Sequence, residues 1–181
     1  MTQIITDSAA DLSSADIQRW NIKVIPLQIN FPNGETVNSE SLTADQFFDK
    51  LKACVPAVPT TSQPSLGDFL KLYEAESDKV ISVHVSSGLS GTANTAALAA
   101  QQIGSDKVTV IDTRTLSPGE RYQVLGAAMA LEKGWSIEQI KKLADDLRTN
   151  TEVIFTLETL DYLARGGRIG RVQALAGSLL Q

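Results

Sequence analysis

The sequence predicts an α/β fold, a mostly parallel β-sheet with helices on both faces. Three observations carry this. Short β-branched segments alternate with longer amphipathic or Ala-rich segments along the whole chain. Polar stretches follow the predicted strands, at Asp7-Ser8, at residues 86–92 and at Asp112-Thr113. In a parallel sheet such stretches gather at one edge, where ligands bind. Finally, 181 residues with 43% apolar and 20% charged side chains suit one soluble domain with a real core, and no fixed-period repeat is present.

The elements follow in order. Residues 3–6 are a short apolar strand, and residues 9–20 read as a helix capped by Ser13 or Ser14. Residues 22–31 alternate as a strand, with Pro26 marking an edge or a break between two short strands. Pro32-Asn33-Gly34 is a turn, from which residues 35–38 return as a hairpin. Thr43 and Gln46 form a capping box for a helix to about Lys52, with Phe47, Phe48 and Leu51 on one face. Pro56, Pro59 and Pro64 mark a loop, and Ser65 then opens a helix with Phe69, Leu70, Leu72 and Tyr73 as core residues.

Residues 80–85 are the central strand, and residues 93–102 the Ala-rich helix after it. Residues 108–112 are strongly β-branched. Ser117-Pro118-Gly119-Glu120 combines a cap, a proline at the first helical position and a glutamate three residues on, for a helix ending near Lys133-Gly134. Ser136 and Gln139 box a helix to about Arg148. Residues 152–156 read as the last strand, residues 157–165 as a short helix broken by Gly166-Gly167, and residues 171–180 as another helix. The strands at 3–6, 80–85, 108–112 and 152–156 are expected side by side.

Composition excludes several functions. A net charge of −5 without a basic run argues against nucleic-acid binding. No stretch approaches the length of a membrane span. The opening residues lack a charged region and an apolar core, so no signal peptide is expected. Cys54 is the sole cysteine, which excludes an internal disulfide and a Cys-based zinc cluster. His84 is the sole histidine and sits mid-strand, so a metal site built on it is not expected; no cofactor is expected either. These features fit a cytoplasmic protein.

The stretch Ser86-Ser87-Gly88-Leu89-Ser90-Gly91-Thr92 carries the chemistry. It joins a strand to a helix whose first N–H groups lack intrahelical partners and bear partial positive charge. Glycines permit close approach, and the hydroxyls of Ser87, Ser90 and Thr92 add neutral donors. Such a corner suits a carboxylate or a phosphate. The plainer alternative is that Ser90 only caps the helix. A serine hydrolase does not fit, because Gly88-Leu89-Ser90-Gly91-Thr92 lacks the final glycine of a nucleophile elbow and His84 precedes the serine on the same strand. The loop has neither the Walker lysine nor the dinucleotide glycine pattern. Arg168, on a glycine turn, is suited to carboxylate or phosphate, or is a solvent-facing residue after a helix C-cap. A small-molecule or phosphate-binding α/β enzyme therefore stays open as an alternative.

Five motifs in order resemble the DegV family. They are Thr6-Asp7-Ser8 with Asp11-Leu12, then Pro59-Thr60-Thr61-Ser62-Gln63-Pro64-Ser65, then residues 86–92, then Asp112-Thr113, then Leu163-Ala164-Arg165-Gly166-Gly167-Arg168-Ile169-Gly170. The resemblance implies a bacterial protein with a two-lobed α/β fold that holds one long-chain fatty acid. It also implies a carrier rather than an enzyme, one that in some members presents the acyl carboxylate to a separate fatty-acid kinase. Carried over, the carboxylate-binding hydroxyls fall on Thr61 and Ser62, with Thr61 preferred, and on Ser90. Gly91 and Thr92 supply further donors, and Arg168 lies at the head-group end or the kinase surface. Family members are longer and use a histidine of a C-terminal lobe, which His84 does not match. Residues 1–181 are accordingly expected to be a DegV-like N-terminal α/β lobe, either cut before or within the C-terminal lobe or belonging to a naturally short relative.

Overall fold

In the computed structural model, which describes residues 2–104, 106–157 and 159–170, the chain alternates strands and helices much as expected. The elements are β1 (Gln3–Asp7), α1 (Ser14–Trp20), β2 (Lys23–Ile25), β3 (Gln28–Asn30), β4 (Thr36–Asn38), α2 (Ala44–Ala53), β5 (Thr60–Ser62), α3 (Leu66–Glu74), β6 (Val80–His84), α4 (Thr92–Ile103), β7 (Val108–Asp112), α5 (Ser117–Glu132), α6 (Ile137–Asn150) and α7 (Asp161–Arg165). They divide into two units. One holds residues 1–26 and 63–153, and the other holds residues 27–62 and those from 154 on.

The first unit is built on a four-stranded parallel sheet in the order β2-β1-β6-β7. Strand alternation separates its two faces. Ile4, Ile81 and Val83 point one way, onto Val124, Ala127 and Ala128 of α5 and Ile140 of α6. Ile5, Val80 and Val108 point the other way, onto Phe69 and Tyr73 of α3 and Ala96, Ala99 and Ala100 of α4. Alanines along the inner side of α4 leave room for the helix to lie close to the strands. The result is a sheet covered on both faces. Three capping boxes start helices as their sequences require, at Thr43, Ser65 and Ser136.

The second unit holds a three-stranded antiparallel sheet, β4-β3-β5. The hairpin of β3 and β4 turns through Gly34, at φ +89°. Pro26 has no N–H to donate, so the strand pattern of residues 22–31 breaks there into β2 and β3, which belong to different sheets. Among the described residues no helix is long and apolar enough to cross a membrane.

Four expectations are corrected. Residues 152–156 form no strand, and Ile154 is 85% exposed. Their β-branched pattern is a preference for extended backbone and not in itself a pairing: β7 is an edge strand, and residues 152–156 do not join it. Residues 60–62, expected as loop, pair with β3, since a strand of three polar residues gives no apolar alternation to detect. The predicted helix over residues 9–20 resolves into a 3₁₀ turn, Ser8–Ala10, and α1, with Asp11 in left-handed backbone between them and Ser13 as cap. Ser117 does not cap α5. Leu116 is the cap residue, Ser117 itself takes φ +45°, and Glu120 turns into the core instead of back to the cap. The predicted helix at residues 171–180 lies outside the described residues.

Glu120 has a thermodynamic consequence. It is fully buried, its Oε1 accepts from the Thr6 hydroxyl at 3.4 Å, and its Oε2 has no partner among the described residues. Loss of solvent, then the neighbouring charge of Asp7, then that of Asp11, hold the carboxyl well above the ordinary value of 4.5. The folded state therefore keeps a proton that the unfolded state gives up above that value. Stability is fully present below it and is lost as pH rises toward the folded value, by up to about 1.4 kcal/mol per pH unit. Glu120→Gln keeps the shape and removes the titration. Its melting temperature should exceed that of the parent chain at neutral pH, and the gap should close near pH 4. Melting curves that stay parallel across this range would refute the assignment.

Candidate functional site

All four strands of the parallel sheet end at the same edge, and the polar stretches after β1, β6 and β7 gather there, as the sequence implies. Asp7, at the end of β1, is fully buried. Its Oδ1 accepts from the Ala9 amide at 3.0 Å, and its Oδ2 accepts from the Val85 amide at 3.0 Å. His84 Nδ1 lies 3.0 Å from the same Oδ2. On the other side of the ring, Nε2 lies 2.6 Å from the Ser82 hydroxyl, which accepts from Tyr73 OH at 2.8 Å. The Ser82 oxygen thus accepts from Tyr73 and faces Nε2, while Nδ1 faces the Asp7 carboxylate. Burial pushes the Tyr73 hydroxyl up to about 12, which keeps it a donor. The ring of Phe69 meets His84 edge-on, with centroids 5.2 Å apart.

Sequence reasoning missed this relay. The available signal was period-two: Ser82 and His84 are polar residues on one face of an otherwise apolar strand. Ser82, His84 and Asp7 are aligned like a nucleophile, a base and an acid. Ser82 is fully buried, however, and its oxygen already accepts from Tyr73, so it presents no attacking group.

The loop after β6 is held by its own polar groups. The Ser86 amide donates to Thr115 O at 2.9 Å, and the Ser86 carbonyl accepts from the amides of Leu89 and Ser90 at 2.9 and 3.0 Å. Ser87 donates to Asp112 from both its amide (3.1 Å) and its hydroxyl (2.5 Å). Thr113 ties the next strand end to the same corner, donating from its hydroxyl to His84 O at 2.8 Å. Ser90 and Thr92 share one hydrogen bond between their hydroxyls at 2.8 Å, and Ser90 Oγ also accepts the Thr92 amide at 3.3 Å. Two hydroxyls sharing one bond leave one proton to offer. Thr92 is fully buried and Ser90 half-buried, so a ligand can meet that proton on Ser90. Gly91 is the cap of α4 and makes no side-chain cap bond. The plainer reading, Ser90 as a helix cap only, accounts for one amide of the first turn.

Gly91 lies against Gln63, a second residue to which the sequence assigns no role of its own. A Cβ at Gly91 would lie 2.0 Å from Gln63 Oε1. Gln63 cannot swing aside freely, because its Nε2 donates to Thr95 Oγ1 at 2.7 Å.

Thr61 and Ser62 belong to β5, in the second unit, and strand alternation puts their side chains on opposite faces of that sheet. Ser62 Oγ accepts from Asn30 Nδ2 at 3.2 Å. Thr61, opposite Ile29, is exposed and its hydroxyl has no partner among the described residues. Arg168 follows α7 in the same unit. Gly167, at φ +69°, completes a helix stop in which the amides of Gly167 and Arg168 donate to Ala164 O and Leu163 O at 3.0 and 2.9 Å. The guanidinium donates to Gly166 O, and among the described residues it has no carboxylate partner. Asp161 does not pair with it, and Glu158 lies outside the described residues. No group of three His, Cys, Asp or Glu side chains among the described residues could hold a metal ion.

Comparison with known proteins agrees with the motifs. The model of the DegV family, described as uncharacterised proteins, matches residues 1–181. A DegV domain-containing protein of Listeria innocua is 37% identical over 183 residues, covering 98% of this chain and 64% of its own length. One from Deinococcus radiodurans is 38% identical over 180 residues, covering 98% and 63%. The chain thus spans just under two thirds of the length of these relatives. Among solved structures, a DegV family protein from Thermus thermophilus described as fatty-acid binding is 40% identical, with a TM-score of 0.87 over 99% of this chain and 65% of that one. DegV from Bacillus subtilis, described as a fatty-acid-binding protein, is 34% identical with a TM-score of 0.86 over 99% and 65%. The chain belongs to the DegV family.

Proposed function

We propose that this chain takes part in binding one long-chain fatty acid, as a carrier rather than a catalyst. The observation that carries the reading is its 40% identity and TM-score of 0.87 to the Thermus thermophilus protein described as fatty-acid binding. The chemistry of the loop supports it. Ser90, Gly91 and Thr92 offer a hydroxyl proton and the start of a twelve-residue helix, which suits one carboxylate. Thr61 adds an exposed hydroxyl with no partner among the described residues, and Ser62 lies beside it in sequence, its oxygen accepting from Asn30. Arg168 is assigned to the head-group end or to the surface that meets a separate fatty-acid kinase, to which the carrier presents the carboxylate. Each buried CH₂ contributes about 0.8 kcal/mol, so the acyl chain dominates affinity. A hydrogen bond to a charged group adds about 1.5–3 kcal/mol, enough to fix the orientation of the head group.

Mass spectrometry of organic extracts from the purified protein tests the ligand class. A stoichiometric fatty acid supports the carrier, whereas a bound sugar phosphate or nucleotide would support a phosphate-binding enzyme instead. Thr61→Ala and Ser90→Ala should each weaken binding of a fluorescent fatty acid about tenfold, the loss of one charge-assisted bond, with melting temperature nearly unchanged. Ser62→Ala should have the smaller effect on binding. Unchanged affinity in both Thr61→Ala and Ser90→Ala would overturn their assignment.

Arg168→Ala separates its two roles. The expected result is a melting temperature within about 3 °C of the parent, as for a surface change, with fatty-acid affinity retained and kinase-dependent phosphorylation lost. A large fall in melting temperature would instead assign Arg168 to the stop of α7.

A further inference from the structure

We propose that Asp7 and His84 are positioning residues for the ligand loop, acting through a single directed chain of hydrogen bonds, Tyr73 to Ser82 to His84 to Asp7. The inference deepens the fatty-acid reading, and its affinity arm rests on that reading. Asp7 is the link between the relay and the loop. Its Oδ2 accepts the amide of Val85, the residue just before Ser86, and Oδ1 holds the Ala9 amide after β1. From Ser86 onward the loop is set by bonds that start at that point: Ser86 O holds the amides of Leu89 and Ser90, and Ser90 meets Thr92. A shift of Val85 therefore moves Ser90 and the first turn of α4 together.

The relay has one consistent direction. Asp7 accepts only, so Val85 N–H and His84 Nδ1–H can both point at Oδ2. His84 Nε2 then has a lone pair and must face a donor, which Ser82 supplies because Tyr73 satisfies the serine oxygen. Tyr73, Ser82, His84 and Asp7 are all fully buried, away from bulk solvent. A change of donor to acceptor anywhere in the chain leaves an unpaired buried group next to the loop. Asp7→Asn makes that change with almost no change in shape. If the amide oxygen stays on Ala9, the new NH₂ faces Val85 N–H and His84 Nδ1–H. Switching the imidazole tautomer relieves the ring and leaves Val85 unpaired.

The test uses the 181-residue chain. Because His84 is its only histidine, nitrogen-15 labelling of histidine gives one imidazole spectrum. The expected result is a neutral ring with the proton on Nδ1. A ring protonated on Nε2 alone would overturn the proposal without any variant. In Asp7→Asn, amide hydrogen exchange at Val85, Leu89 and Ser90 should accelerate at least about tenfold, the loss expected for one bond to a charged group. Exchange in the middle of β7 should stay unchanged. Fluorescent fatty-acid affinity should fall by about the same factor, although Asp7 is fully buried. A folded Asp7→Asn with unchanged loop exchange would overturn the proposal. Absence of fatty-acid binding in the parent chain would count against the fatty-acid reading alone, and loop exchange would then decide this one. Should Asp7→Asn not fold, the tautomer in the parent chain decides.

Discussion

One buried carboxylate organises the polar edge of the parallel sheet. Asp7 is wholly removed from water, which is costly for a charge unless hydrogen bonds replace its hydration. Three donors do so, from the Ala9 amide, the Val85 amide and the His84 ring. They come from the turn after β1, the loop after β6 and the end of β6 itself. The need to satisfy one charge thereby fixes how two strand ends and their following loops meet. A neutral residue at this place would lose the bonds, and an unpaired charge would be worse, so the three segments are held by the same requirement.

The environment of that carboxylate explains two other features. Glu120 lies close enough to feel the charge of Asp7, and it avoids a second buried charge by keeping its proton. Its placement also accounts for the unusual start of α5, where Ser117 takes left-handed backbone and the helix begins without a side-chain cap. The energy that a cap would contribute, about 1 kcal/mol, is given up where the first turn must deliver an acidic side chain to the core. On the opposite side of the sheet, Phe69 and Tyr73 of α3 close over His84 and Ser82. Apolar packing and polar relay share the same helix, which is why α3 contributes its two largest core side chains there.

How much of this was legible in the sequence follows from the range of the interactions involved. The capping boxes at Thr43, Ser65 and Ser136 are local, and the sequence located all three helix starts. The parallel order of β1, β6 and β7 followed from strand–helix alternation, and the gathering of Asp7, residues 86–92 and Asp112 at one edge followed from that order. Residues 152–156 look like a strand by every local measure and are not one, because a β-branched pattern does not by itself choose a pairing partner. Residues 60–62 look like loop and do pair, for the same reason in reverse. The relay through His84 joins residues 77 positions apart, and no local pattern announces such a contact. Gln63 was hidden differently. Its role appears only when the space beside Gly91 is known.

The motif Thr61-Ser62-Gln63 shows how one short stretch can divide its labour. Alternation along β5 sends Thr61 and Ser62 to opposite faces of a three-stranded sheet. Ser62 Oγ accepts from Asn30, whose own amide oxygen accepts from Thr36, so the serine oxygen helps bind the strands together. Thr61 is left with an exposed, uncommitted hydroxyl. Gln63, the next residue, anchors to Thr95 and fills the space over Gly91. Within the three-stranded sheet, pairing of β5 with β3 restricts the backbone that carries Thr61. A free hydroxyl on a restrained backbone loses less freedom on meeting a ligand than one on a mobile loop. Pairing with β3 thus puts the exposed hydroxyl of Thr61 on fixed backbone, which is the physical ground for preferring it within the pair.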